Sequence, residues 1–60
     1  MKAKLLVVDD EKNIREGLQK ALNLDGYDVE VAADGQVALD KLEDEDIDLV
    51  ITDLKMPQLS

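Results

Sequence analysis

Asp9 and Asp10 stand side by side directly after one apolar run, and Asp53 stands directly after another. The chain contains no Cys and no His. That excludes disulfides, thiolate chemistry, imidazole bases and the usual zinc sites, and leaves carboxylates as the groups with chemistry to offer. Carboxylates gathered without a counterion repel and raise one another's pKa. A hard divalent cation removes that conflict. Mg²⁺ takes oxygen ligands, keeps several waters and binds only one or two carboxylates directly. A remaining carboxylate is then free as a nucleophile, and its attack on a phosphoryl donor gives an aspartyl phosphate. The metal neutralises charge on the transferring group. Each residue also has a plainer reading, with Asp10 as a helix cap and Asp53 as the start of a turn.

The chemistry therefore depends on whether the intervening elements bring these side chains together. Lys4-Leu5-Leu6-Val7-Val8 is a continuous apolar run rich in branched residues, the pattern of a strand buried on both faces. Ile14, Leu18, Ala21 and Leu22 follow at helical spacing on one face, with Lys12, Arg15, Glu16, Gln19 and Lys20 on the other. Gly26 suits a left-handed helix cap, whereas Gly17 has no reason legible in the sequence. Asp28-Val29-Glu30-Val31-Ala32 alternates, which places that strand at a sheet edge. Asp34 is suited to cap a second helix that points Val37, Ala38 and Leu42 inward. The acidic run Glu43 to Asp46 ends it as a solvated, fraying terminus. The third strand runs from Ile47 to Thr52 and ends at Asp53, and Leu54-Lys55-Met56-Pro57 forms a loop.

A strand-helix-strand-helix-strand order implies an α/β fold with parallel strands and right-handed crossovers. The doubly buried first strand belongs in the middle, so the spatial order is 2-1-3. The helices then fall on opposite faces. The change of direction opens a crevice beyond the carboxyl ends of strands one and three, where such sheets bind ligands. Neighbouring strands lie about 4.8 Å apart, close enough for Asp9, Asp10 and Asp53 to share one small ion.

Composition narrows the remaining options. Hydrophobic residues make up 45% of the 60-residue chain, which is too apolar for a disordered acidic tail. The length allows one small domain of marginal stability, spanning residues 1–60. A net charge of −8 repels nucleic-acid phosphates, so no nucleic-acid contact is expected. Leu5 to Val8 is the longest unbroken apolar run and is far too short to span a bilayer, so a soluble, cytoplasmic protein without membrane contact is the expectation. Tyr27, the single aromatic residue, reads as packing between a loop and a strand.

Three stretches carry a family resemblance: Leu5-Leu6-Val7-Val8-Asp9-Asp10-Glu11, Asp34-Gly35-Gln36-Val37-Ala38-Leu39, and Asp48-Leu49-Val50-Ile51-Thr52-Asp53-Leu54-Lys55-Met56-Pro57. The chain resembles the receiver domains of bacterial two-component response regulators over essentially its whole length. Its details look most similar to receivers of enhancer-binding transcription activators. The resemblance implies the βαβαβ half of a flavodoxin-like fold. It makes Asp53 the phosphoacceptor, served by a sensor histidine kinase. It further implies that Asp9, Asp10, Asp53 and the backbone carbonyl of Lys55 would hold Mg²⁺. On this resemblance the protein is expected to be a phosphoacceptor and not an enzyme in its own right.

The family pattern has five strands and five helices, and this sequence reaches the third strand. The Ser or Thr of a fourth strand and the Lys of a fifth have no counterpart here. Thr52 should face away from Asp53 and read as packing, and Lys55 does not replace the missing Lys. Weak Mg²⁺ binding, slow or absent phosphorylation and impaired switching are the expectations. Strand three is left as an apolar edge, so the sheet is expected to be completed by self-association, as a homodimer of order 2-1-3-3′-1′-2′ or by domain swapping. Leu54 and Leu59 could serve either the site's margin or that contact. The alternative function is a self-assembling structural half-domain or engineered fragment without activity. A free-standing aspartate phosphatase fits poorly, because Leu54-Lys55 follows Asp53 where a second carboxylate is needed.

Overall fold

The computed structural model describes residues 2–52. They form β1 (Lys4–Val8), α1 (Lys12–Leu24), β2 (Asp28–Ala32), α2 (Gly35–Asp44) and β3 (Leu49–Thr52). The sheet is parallel with order β2-β1-β3, as the pattern of apolar runs predicts. Leu5, Leu6, Val7 and Val8 are all buried, with Leu6 wholly so. Alternation along β1 divides them between the two faces. Leu6 and Val8 join Ala32 and Ala38 in one cluster, which Ile47 borders. Leu5, Val7 and Val29 are buried on the other face, where α1 packs over β1 and β2.

Both helices carry local stop or start signals. The chain leaves α1 through Gly26, whose φ of 97° is a left-handed conformation that side chains with a Cβ resist. Gly26 N–H donates to the Asn23 carbonyl at 3.0 Å and Tyr27 N–H to the Leu22 carbonyl at 3.1 Å. This pair of bonds is a Schellman closure, and it satisfies carbonyls the helix end would leave open. Asp34 caps α2 as expected, its carboxylate accepting from Val37 N–H at 2.9 Å. Lys41 lies in the last turn of α2, where its charge suits the helix dipole, and it also reaches Glu30 of β2 at 3.2 Å.

The start of β3 is tied to the start of β1. Asp48 N–H donates to the Lys4 carbonyl at 2.8 Å, and Lys4 N–H returns a bond to Asp48 Oδ2 at 2.7 Å. Lys4 Nζ also pairs with Glu45 Oε1 at 2.6 Å. That hydrogen bond to the Glu45 carboxylate raises the Lys4 pKa above its ordinary 10.5, and the negative charges of Glu45, Asp28 and Glu30 push it the same way. The acidic run is therefore not solvated throughout: Glu45 is held, while Glu43, Asp44 and Asp46 are exposed.

Other expectations need correction. β3 begins at Leu49 and not Ile47, because Asp48 is spent on the Lys4 clamp and Ile47 packs against the core before the strand starts. Ala38 points inward, but Val37 and Leu42 remain exposed, since α2 covers β1 and β2 and does not reach β3. No α1 residue is fully buried, and Ile14 is 52% exposed. A helix resting on the edge half of a three-stranded sheet can seat only part of its apolar stripe. Tyr27 is also half exposed. Among the described residues, no helix is long and apolar enough to cross a membrane.

The two helix-related glycines should respond to alanine in opposite ways. A Cβ at Gly17 or at Gly26 meets nothing within 4 Å, so packing is removed from the comparison. Gly26→Ala forces a left-handed conformation on a residue with a Cβ and should lower stability by about 1–2 kcal/mol. Gly17→Ala should raise it by up to about 1 kcal/mol, the helix-propensity difference. Urea midpoints check both, and shifts of the same sign would contradict the assignment.

Candidate functional site

The carboxyl ends of β1 and β3 are level. Val8 pairs with Thr52, so Asp9 follows one strand in sequence and Asp53 follows the other. Asp9 continues the ladder beside β2, donating its N–H to the Ala32 carbonyl at 3.1 Å. Its side chain is buried, with only 6% exposure, and Oδ1 accepts from Glu11 N–H at 2.9 Å. This two-residue span is an Asx turn, which lets an aspartate replace a backbone partner at the entrance to a helix. A carboxylate this buried requires such a donor, since an unpaired one is costly.

Asp10 is exposed at the same turn. It does not cap α1: the cap position belongs to Glu11, which makes no side-chain capping bond. The plainer reading of Asp10 as a helix cap is thus set aside. Asp53 and the Lys55 carbonyl lie outside the described residues, as do Leu54, Met56, Pro57 and Leu59. Among the described residues, no three acidic side chains gather into a metal cluster. Asp9 and Asp10 are hard oxygen donors at one turn, one anchored and one open to solvent. That donor set suits a cation that keeps much of its water.

Arg15 belongs to this turn as well, although the helical pattern places it on the solvent side of α1. Its Nη1 donates to the Asp9 carbonyl at 2.8 Å. Gln19, one turn further, sends Nε2 towards the Val29 carbonyl at 3.3 Å. The only sequence signal for either is a long polar side chain in the early turns of a helix that follows an acidic pair.

Beside the turn, α2 and β3 enclose an open groove of about 530 Å³. Val8, Ala38, Leu39, Leu42, Val50 and Thr52 line it. Thr52 thus lies on the α2 side of the sheet, with Val8 and Val50. Leu39 is 58% exposed and Leu49, on the other face of β3, is 56% exposed.

A family model described as the response regulator receiver domain matches residues 5–60. The chain belongs to the response regulator receiver domain family. Response regulator MprA of Mycolicibacterium vanbaalenii is 44% identical over 59 residues, covering 98% of this chain and 26% of that protein. Response regulator MprA of Mycobacterium tuberculosis is 42% identical over the same length. The chain thus spans 26% of the length of these curated relatives. Among solved structures, the chemotaxis response regulator CheY4 of Vibrio cholerae superposes with a TM-score of 0.90 at 44% identity. That match covers 95% of this chain and 48% of the other. The βαβαβ unit of order 2-1-3 is therefore the corresponding part of a flavodoxin-like receiver fold.

The acid turn makes a prediction that separates stability from function. Asp9→Asn keeps an oxygen for Glu11 N–H and removes one of the three consecutive negative charges Asp9, Asp10 and Glu11. In metal-free buffer its urea midpoint should match or exceed that of the unaltered chain. Asp9→Ala loses the acceptor and should cost about 1 kcal/mol. An Asn variant as unstable as the Ala variant would show that charge, not the hydrogen bond, holds the turn.

Proposed function

We propose that this chain is the phosphoacceptor part of a response regulator, with Asp53 as the acceptor and Asp9 and Asp10 as ligands for Mg²⁺. The supporting observation is the pairing of Val8 with Thr52, which ends β1 and β3 level on one side of the sheet, and Asp9 and Asp53 are the next residues in sequence. Family membership supports this reaction class. Lys55 adds its backbone carbonyl to the ligand set. Bound Mg²⁺ would supply positive charge against the transferring phosphoryl group. Asp9, fixed by Glu11 N–H, holds an oriented carboxylate, and Asp10 offers a second that solvent can reach.

The donor is a phosphohistidine on a sensor histidine kinase. A carboxylate oxygen of Asp53 bonds to phosphorus while the P–N bond breaks and the imidazole leaves with the electron pair, taking up a proton. The product is an acyl phosphate. The group is accepted once and not turned over repeatedly, and the setting is the cytoplasm, where the output is transcriptional. A small phosphodonor such as acetyl phosphate, with and without Mg²⁺, tests this. Phosphorylation is expected to be slow: one phosphoryl mass accumulates gradually on Asp53 with Mg²⁺ present, none appears in Asp53→Asn, and labelling falls strongly in Asp9→Asn. Labelling that persists in Asp53→Asn overturns the acceptor assignment, and continuous release of phosphate overturns the single-acceptance reading.

A second reading concerns assembly, and the bare β3 favours it. Among the described residues neither helix packs over this strand, and Leu49 and Val50 are exposed. Leu49-Val50-Ile51-Thr52 carries no charge and no proline that would discourage edge pairing. A second copy pairing antiparallel along β3 gives the order 2-1-3-3′-1′-2′. Sedimentation equilibrium should then give twice the chain mass, and Val50→Lys should return it to one. A one-chain mass for the unaltered protein, under folding conditions, removes the homodimer. A Lys variant that stays dimeric points to exchange of other elements instead.

A further inference from the structure

We infer that Arg15 is a positioning residue for the acid turn, directing a bound divalent cation to the carboxylates of Asp9 and Asp10. The inference rests on the Mg²⁺ reading above and adds a residue to it. Arg15 grips the turn twice. Its backbone N–H donates to the Glu11 carbonyl at 2.9 Å, and its guanidinium donates to the Asp9 carbonyl at 2.8 Å. Asp9 is consequently held at its N–H, its carbonyl and one carboxylate oxygen. Its N–H is on Ala32, its carbonyl on Arg15 and its Oδ1 on Glu11 N–H.

Two consequences follow from charge and geometry. A carbonyl oxygen is itself a hard donor, and a flexible acidic turn could offer it to a cation in place of a carboxylate. A guanidinium seated on that oxygen places positive charge where the cation would have to bind. The carboxylates are then the donors left to it. With both its carbonyl and its side chain anchored, Asp9 also cannot rotate its carboxylate away from the sheet end without breaking bonds. Outer partners that orient metal ligands in this way contribute roughly 10–100-fold to metal affinity.

The alternative role for Arg15 is general electrostatics, and it predicts the opposite sign. A cation beside a cation site opposes metal binding, so its removal alone would tighten Mg²⁺. The test is a Mg²⁺ titration followed by the amide resonances of Asp9, Asp10 and Glu11, with unaltered chain, Arg15→Ala, Arg15→Lys and Asp9→Asn. Arg15→Ala should weaken Mg²⁺ by roughly 10-fold, and Arg15→Lys, which keeps a cationic donor on a long flexible stem, should recover most of that. In metal-free buffer, the Glu11 amide should exchange faster with solvent in Arg15→Ala and at the original rate in Arg15→Lys.

Affinity that rises in Arg15→Ala, or is unchanged while only the urea midpoint falls, overturns the inference. If Arg15→Ala does not fold, Arg15→Lys with the affinity and Glu11 exchange of the unaltered chain upholds it. A Lys variant that folds but has lost either overturns it. An unaltered chain with no Mg²⁺ response overturns the metal reading and the directing role together. The anchoring of the turn is then judged on Glu11 exchange alone, and an exchange rate insensitive to Arg15→Ala overturns that too.

Discussion

The structure depends on the burial of β1. Leu5 to Val8 is apolar on both faces, and a strand so placed has backbone N–H and C=O groups on both edges that water cannot satisfy. It must have a strand on each side. β2 and β3 supply them, and because each reaches its place through a helical crossover, both run parallel to β1. Parallel direction sends the carboxyl ends of all three strands to one side. The position of the acid turn beside the end of β3 is thus a consequence of where backbone groups find partners.

Register makes that alignment sharp. The reciprocal bonds between Lys4 and Asp48 lock the entry of β3 against the entry of β1, and the Lys4–Glu45 ion pair draws the end of α2 to the same corner. A shift by one residue would turn Val50 and Thr52 to the opposite face and break the level finish of Val8 and Thr52. The charged corner at one end of the sheet therefore sets the geometry at the other. Acidic residues serve both ends in different ways. Asp48 and Glu45 are spent on structural bonds, while Asp9 is anchored through one oxygen and Asp10 is left open to solvent.

Coverage of the sheet is uneven, and the reason lies in the helices. Ala38 is small enough to let α2 approach Leu6, Val8 and Ala32, and α1 rests over β1 and β2 on the opposite face. Neither extends across β3, so the groove between α2 and β3 stays open and Leu39, Leu42 and Val50 face it partly exposed. The solved Vibrio cholerae regulator is about twice the length that this chain matches. Among the described residues, the contacts that build the acid turn join β1, β2 and α1.

Much of this was legible in the residues. The bounds of β1 and β2, the 2-1-3 order, the left-handed exit at Gly26 and the Asp34 cap follow from periodicity and turn chemistry, which act over a few neighbouring residues. The placing of Asp9 at the end of a buried strand followed in the same way. The partners of long polar side chains did not. Arg15 belongs by pattern to the outer face of α1, Glu45 to a solvated acidic run and Asp48 to a strand. Each is diverted by a group it can reach only once the elements have packed: the Asp9 carbonyl, the Lys4 ammonium and the Lys4 backbone. Local pattern determined which backbone each segment adopts. Distances between segments, which exist only in the folded chain, decided which charge meets which oxygen.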